Sequence, residues 1–172
     1  GVLADRRKER AALPLELQRL VTLDAMRAAL EVKDYASASR RRSELDVIGI
    51  PAGMKPEMAV LRGRLAEALG HDKDAIDAYR FAAYSSDRQA SAEARLLGSL
   101  LNYKRGELGQ AELLRELETL SAIWRGDNIE LMTLNRMVQI YADTGRYVDS
   151  LSAANTATTM QPNSELSRQS KD

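Results

Sequence analysis

Apolar residues recur at helical spacing along most of the chain. Met58, Leu61, Leu65 and Leu69 follow one another at intervals of 3, 4 and 4 residues, which lines one face of an α-helix. Leu134, Met137, Val138 and Tyr141 form a second such stripe. Strand-like alternation comes nearest over Val47–Pro51, a short stretch broken by Gly49. Gly and Pro punctuate the helical stretches, chiefly in the link 48–53, and polar residues fill the links 84–87 and 124–127. The pattern predicts helices in pairs: 14–32 with 35–47, 56–69 with 72–83, 90–104 with 108–122, and 128–144 with 147–160. Pro162 then stops the last pair, and Asn163 or Ser164 is placed to cap a terminal helix over about 163–172. The expectation is one all-helical domain over residues 1–172.

Four segments resemble one another. They are 32–38, 70–75, 106–111 and 145–150, and they end in the small residues Ala38, Ala75, Ala111 and Ser150, which lie 37, 36 and 39 residues apart. A helix that ends at Gly can close in a left-handed cap, and the chain then turns within a few polar residues. A small residue on the returning helix lets the two backbones approach; a larger one would overpack by about 1–3 kcal/mol. Short connections make the two helices antiparallel neighbours.

Composition narrows the picture. Aromatic residues make up 5% of the chain, with Phe81 and Trp124 each alone of their type. A core built from Leu, Ala, Val, Ile and Met suits close helix packing better than a β-sandwich. The 25 basic and 25 acidic residues cancel, which argues against a nucleic-acid surface. The basic runs 5–10 and 40–42 sit among carboxylates and read as solvated helix faces. The absence of cysteine excludes disulfides and thiolate chemistry. No run approaches the 18 apolar residues of a membrane span, so no membrane insertion by this segment is expected. The first residue is Gly and no signal peptide is visible, so the chain reads as a segment of a longer protein. Its abundance of Arg over Lys and of Ala points to a GC-rich bacterial source. The compartment, cytoplasmic or periplasmic, is left open.

The helix pairs resemble the tetratricopeptide repeat. That pattern has a small residue and an aromatic on the first helix, Gly at the turn, Ala, aromatic and Ala on the second helix, and a closing Pro. The second pair matches it with Gly63, Gly70, Ala75, Tyr79 and Ala82, while Ala66 replaces the first-helix aromatic and Asp87 stands where Pro is usual. The fourth carries Tyr141, Gly145, Ala157 and Pro162, with Ser150 and Ala154 departing from the pattern. The first has Tyr35 and Ala38, but Lys33 for the turn Gly and Arg42 for the aromatic. The third has Gly106 and Ala111, with Gly98 one place early and Arg115 for the aromatic. The resemblance spans about residues 19–162, and longer bacterial multi-repeat proteins look similar. It implies a right-handed superhelical stack of about four helix pairs, a solenoid in which each pair buries one face on the next.

Reactive groups do not converge anywhere in the sequence, and no enzyme is expected. His71 is the single histidine, in a turn; with Asp72, Lys73 and Asp74 it lacks a zinc ligand set and the calcium-loop spacing, and the carboxylates read as first-turn residues. No Gly-rich phosphate loop is present. Ser85, Ser86 and Ser164 lack a base partner. Glu112, Glu116 and Glu118 read as salt-bridge partners, for instance Glu112 with Arg115. Met54 and Met58 read as core or loop filler. Trp124, ahead of Arg125-Gly126-Asp127, reads as a plug beneath the link or, less simply, as a partner anchor. No metal and no cofactor are implied.

In the superhelix that the resemblance implies, first helices line a concave groove. Their open positions would be Arg27 and Leu30; Val60, Arg64 and Glu67; Leu96, Leu100 and Tyr103; and Met132, Asn135, Arg136 and Gln139. The chief candidates are Arg27, Arg64, Leu100, Tyr103, Asn135, Arg136 and Gln139. Such a mixed surface suits a peptide or helix of a partner protein. Only Asn135 and Arg136 approach the family's clamp for a free C-terminal carboxylate, so that ligand is not expected. The function expected is a protein-interaction scaffold. The alternative is a structural spacer or an oligomerisation segment of a larger multi-repeat protein, with a homo-oligomer as one form.

Overall fold

One backbone device recurs four times and sets the architecture. In the computed structural model, which describes residues 13–160, Lys33, Gly70, Gly106 and Gly145 all take positive φ, between 60° and 81°. At each, the N–H of that residue donates to the carbonyl three residues back: Lys33 to Leu30, Gly70 to Glu67, Gly106 to Tyr103, Gly145 to Ala142. The next N–H donates to the carbonyl five residues back: Asp34 to Ala29, His71 to Ala66, Glu107 to Asn102, Arg146 to Tyr141, at 2.7–2.8 Å. This satisfies carbonyls that a helix end otherwise leaves orphaned. The small residue of each repeat follows its turn residue by five positions, so both series share the intervals 37, 36 and 39.

Among the described residues, eight helices are joined by these turns and by longer links. They are α1 (Leu15–Glu31), α2 (Tyr35–Ile48), α3 (Lys55–Ala68), α4 (Asp72–Ala83), α5 (Arg88–Lys104), α6 (Gln110–Ile123), α7 (Asn128–Asp143) and α8 (Tyr147–Met160), with a 3₁₀ turn at Ala52–Met54. No strand occurs among the described residues. The expected pairs 14–47, 56–83, 90–122 and 128–160 differ from these by three residues or fewer at any end. The terminal helix expected over 163–172, and Pro162, lie outside the described residues.

Two compact units divide the chain, Gly1–Ala94 and Arg95–Asp172, with the boundary inside α5. In the first, α1 packs on α2, α3 on α4, and α3 also on α1 and α2. Leu23, Met26, Ala29, Leu30, Leu45, Met58, Leu61 and Leu65 form its core around the fully buried Ala38, with Tyr35, Ile48, Ile50 and Met54 packed against it. Met58 is thus core, and Met54 flanks it. Gly63 makes room for the ring of Tyr79: a Cβ at Gly63 would stand 2.5 Å from Tyr79 Cε1. The same Tyr79 donates from Oη to Glu67 at 3.1 Å. Burial, with Glu67 beside it, holds its hydroxyl far above the ordinary phenol value.

In the second unit α6 packs on α7 and α7 on α8. Its buried residues include Leu101, Leu113, Leu117, Leu120, Ile129, Leu134, Met137, Ile140, Tyr141, Ala153 and Ala157. Buried Thr133 is satisfied by donating to the Ile129 carbonyl, as Thr22 does to Gln18 in α1.

The small-residue rule holds at three repeats and fails at one. Ala38 and Ala75 are fully buried, and Ser150 is half-buried with Oγ donating to the Val138 carbonyl at 3.1 Å. Each is the fourth residue of its helix. Ala111 is exposed. The reason is a late start: α6 begins at Gln110 behind Gly109, two residues after the predicted 108, so its fourth position falls on Leu113, which is fully buried. Leu69 likewise leaves the apolar stripe, because α3 ends at Ala68 and Leu69 is exposed beyond it.

Candidate interaction surface

The four turns give a common register for the first helices. Six residues before each turn residue stand Arg27, Arg64, Leu100 and Gln139; thirteen before stand Leu20, Glu57, Glu93 and Met132. Seven residues is close to two helical turns, so both positions lie on one face of each helix. Every one of these eight side chains is half-buried or exposed. The position ten before the turn behaves differently. Leu23, Val60 and Leu96 are buried there, and Asn135 is exposed.

Three expected surface residues therefore move inside. Val60 and Leu96 occupy the buried register, and Leu30 belongs to the first core. Of the chief candidates, Arg27, Arg64, Leu100, Tyr103 and Arg136 are half-buried, and Asn135 and Gln139 are exposed. Glu57 and Glu93 were missed by sequence reasoning. Their signal was available: each stands seven residues before an expected surface position, Arg64 and Leu100.

In the first unit these carboxylates meet Arg27. Its Nη1 donates to both carboxylate oxygens of Glu93 at 3.2 Å, and Nη2 reaches Glu57 Oε1 at 3.5 Å. One side chain of α1 thereby contacts α3 and α5. Burial works against the Arg27 charge, but the hydrogen bond and charge of Glu93, helped by Glu57 and Glu31, outweigh it and hold its pKa above the ordinary value. Glu57 is displaced upward by burial, with Asp24 and Asp87 adding to the shift and Arg27 only partly opposing it. Arg64 makes no ion pair among the described residues. Glu67 is engaged by Tyr79.

In the second unit Arg136 Nη1 donates to Gln139 Oε1 at 3.2 Å, while Nε is buried without a partner. Arg95 of α5 pairs with Glu116 at 2.8 Å. That replaces the expected pairing of Glu112 with Arg115, which does not form. In the basic run of α2, Arg40 bonds Ser37 and Arg41 pairs with Glu44; the run at 5–10 lies outside the described residues.

The remaining candidates are built into turns. Trp124 is half-buried and its indole N–H donates to Asp127 Oδ1 at 2.7 Å. The same oxygen caps α7 by accepting from Ile129 N at 2.9 Å, and the buried Glu130 accepts from the Gly126 N–H. The Arg-Gly-Asp stretch is therefore a helix start. His71 is exposed at the start of α4 and makes no side-chain cap, while Asp72 and Asp74 lie in the first turn. Asp87 caps α5 through Ala90 N at 3.0 Å. Among the described residues no group of three or more His, Cys, Asp or Glu could hold a metal ion, and no helix is long and apolar enough to cross a membrane.

No protein-family model and no curated protein matches this chain. The first helices carry half-buried and exposed positions of mixed polar and apolar character, Arg27, Arg64, Leu100 and Gln139 among them.

Proposed function

We propose that the chain is a protein-interaction module built as a tetratricopeptide-like superhelix, which presents its first-helix faces to a peptide or helix of a partner protein. The observation that carries this reading is the identical turn at Lys33, Gly70, Gly106 and Gly145. A repeated turn gives the first helices a common register, as expected of stacked repeat units that each present the same kind of face. On the first-helix faces of the first unit Arg64 contributes a cationic group; on those of the second unit Arg136 contributes another, Leu100, Tyr103 and Met132 apolar area, and Asn135 and Gln139 amide hydrogen bonds. No catalysis, metal or cofactor belongs to this reading.

Selection from a random peptide library tests it. The wild-type chain should enrich a sequence class, and the double variant Arg64→Glu, Tyr103→Ala should lose that enrichment while its helical circular dichroism is unchanged. Equal enrichment by the variant, or none by either protein, would remove the groove. One observation favours a second reading, a structural spacer: Arg27 spends its charge on Glu57 and Glu93 inside the molecule, leaving less for a foreign partner.

A further inference from the structure

Charge is unevenly spread on the first helices of the first unit. Arg27 of α1 bonds Glu57 of α3 and Glu93 of α5, and Glu31 of its own helix also acts on it. Glu57 in turn feels Asp24 of α1 and Asp87, which caps α5. Asp24, Arg27 and Glu31 follow one another at intervals of 3 and 4 residues, so they share one face of α1. Carboxylates outnumber cations in this group, although the chain as a whole is neutral.

Arg27 does not neutralise the group. Its Nη1 is taken by both oxygens of Glu93 at 3.2 Å. Its contact with Glu57 is 3.5 Å long, past the usual range of about 2.7–3.2 Å. Asp24 and Glu31 are exposed and form no hydrogen bond or ion pair among the described residues. The Glu57 side chain keeps 37% exposure, enough to be reached from outside. Burial and its carboxylate neighbours nevertheless hold its pKa above the ordinary value. A half-buried carboxylate so placed gains from a second cation, which offsets its lost hydration. Among the described residues no group of three or more acidic or histidine side chains suits a metal ion. The cation that fits is one carried on a long side chain.

We infer that the peptide received by the first unit is cationic, with a Lys or Arg side chain seated between Asp24 and Glu57, beside Arg27. This rests on the interaction module proposed above and names the chemistry of its partner. Arg27 displays the mode of contact, a guanidinium that reaches carboxylates on two helices. It stays with Glu93, which leaves Glu57 and Asp24 for the incoming charge. The same local field draws a basic segment in and repels an acidic one.

Selection from a random peptide library, followed by fluorescence anisotropy on an enriched peptide, tests it. The wild-type chain should enrich peptides that carry Lys or Arg. The double variant Asp24→Asn, Glu57→Gln should bind such a peptide about tenfold more weakly, the size expected for two half-exposed ion pairs. A control that removes two charges from α4, Asp74→Asn with Asp77→Asn, should bind as the wild type does. Circular dichroism checks helicity; should the double variant unfold, Asp24→Asn alone, at an exposed position, tests the same seat. Enrichment of peptides without Lys or Arg overturns the inference and leaves the interaction module standing. No enrichment at all removes the module and the inference with it. Undiminished binding by the double variant, or an equal loss in the control, also overturns the inference, because the cation then does not sit between Asp24 and Glu57.

Discussion

Lys33 occupies a backbone conformation that the other three repeats give to Gly, at φ 60°. An L side chain there is strained by roughly 1–2 kcal/mol, part of which Gly returns through its freer unfolded state. Lys33→Gly should therefore raise stability by about 1 kcal/mol, read as a higher urea midpoint with an unchanged slope. Gly63 is the opposite case. The Tyr79 ring lies where a methyl would go, so Gly63→Ala should destabilise by about 1–3 kcal/mol through overpacking. An unchanged midpoint would mean that the ring moves away at no cost. At the neighbouring turn Asp34 accepts from the Ser37 hydroxyl at 2.7 Å and the Ser37 N–H at 3.1 Å. Those bonds, with Arg40 nearby, hold its carboxyl below the ordinary value. The sign follows: the carboxylate stabilises the start of α2 above the ordinary Asp range, and that contribution disappears as pH falls through the lowered folded value. Acid titration of Ser37 amide exchange should show it, and Asp34→Asn should flatten the response.

Helix boundaries were legible because punctuation and periodicity agree. Gly and Asp stand where chains turn, and apolar residues recur between them. The element that escaped was the start of α6: Leu108 and Gly109 resemble a helix entry, yet the helix waits for Gln110, and the buried place passes from Ala111 to Leu113. Contacts between elements were less legible still, since spacing along one helix does not reveal which side chain reaches another. Glu57 and Glu93 are such residues, and Arg19 is a third. From α1 its Nε donates to the Gly49 carbonyl at 2.8 Å and Nη2 to the Ile48 carbonyl at 3.2 Å. It thus supplies positive charge and donors where α2 ends, beside a Gly with φ 76°. A cation at a helix C-terminus that also satisfies carbonyls contributes about 1–2 kcal/mol. Arg19→Ala should lose that amount, and Arg19→Lys should recover only part of it because an ammonium lacks the planar fork. Equal loss in the Ala and Lys variants would place the whole effect in guanidinium geometry; no loss in either would leave the contact without energetic weight.

At the scale of the molecule, the repeating turn and the two compact units make different demands on folding. A chain of equivalent helix pairs propagates stability only through neighbours, whereas two units with separate buried cores resist unfolding separately. Leu61 tests which description governs. It is fully buried within the first core, against Met26, Leu45, Met58 and Leu65 as fellow members, and no residue of the second unit belongs to that cluster. Leu61→Ala removes buried methyl groups and leaves a cavity, at a cost of about 2–5 kcal/mol. Native-state hydrogen exchange should then show protection falling across α1–α4, while the amides of α7 and α8 exchange as in the wild type. Loss graded with distance along the chain would indicate nearest-neighbour coupling that crosses α5. Equal loss at every helix would show that the chain unfolds as one cooperative body, and that the division within α5 carries no energetic meaning.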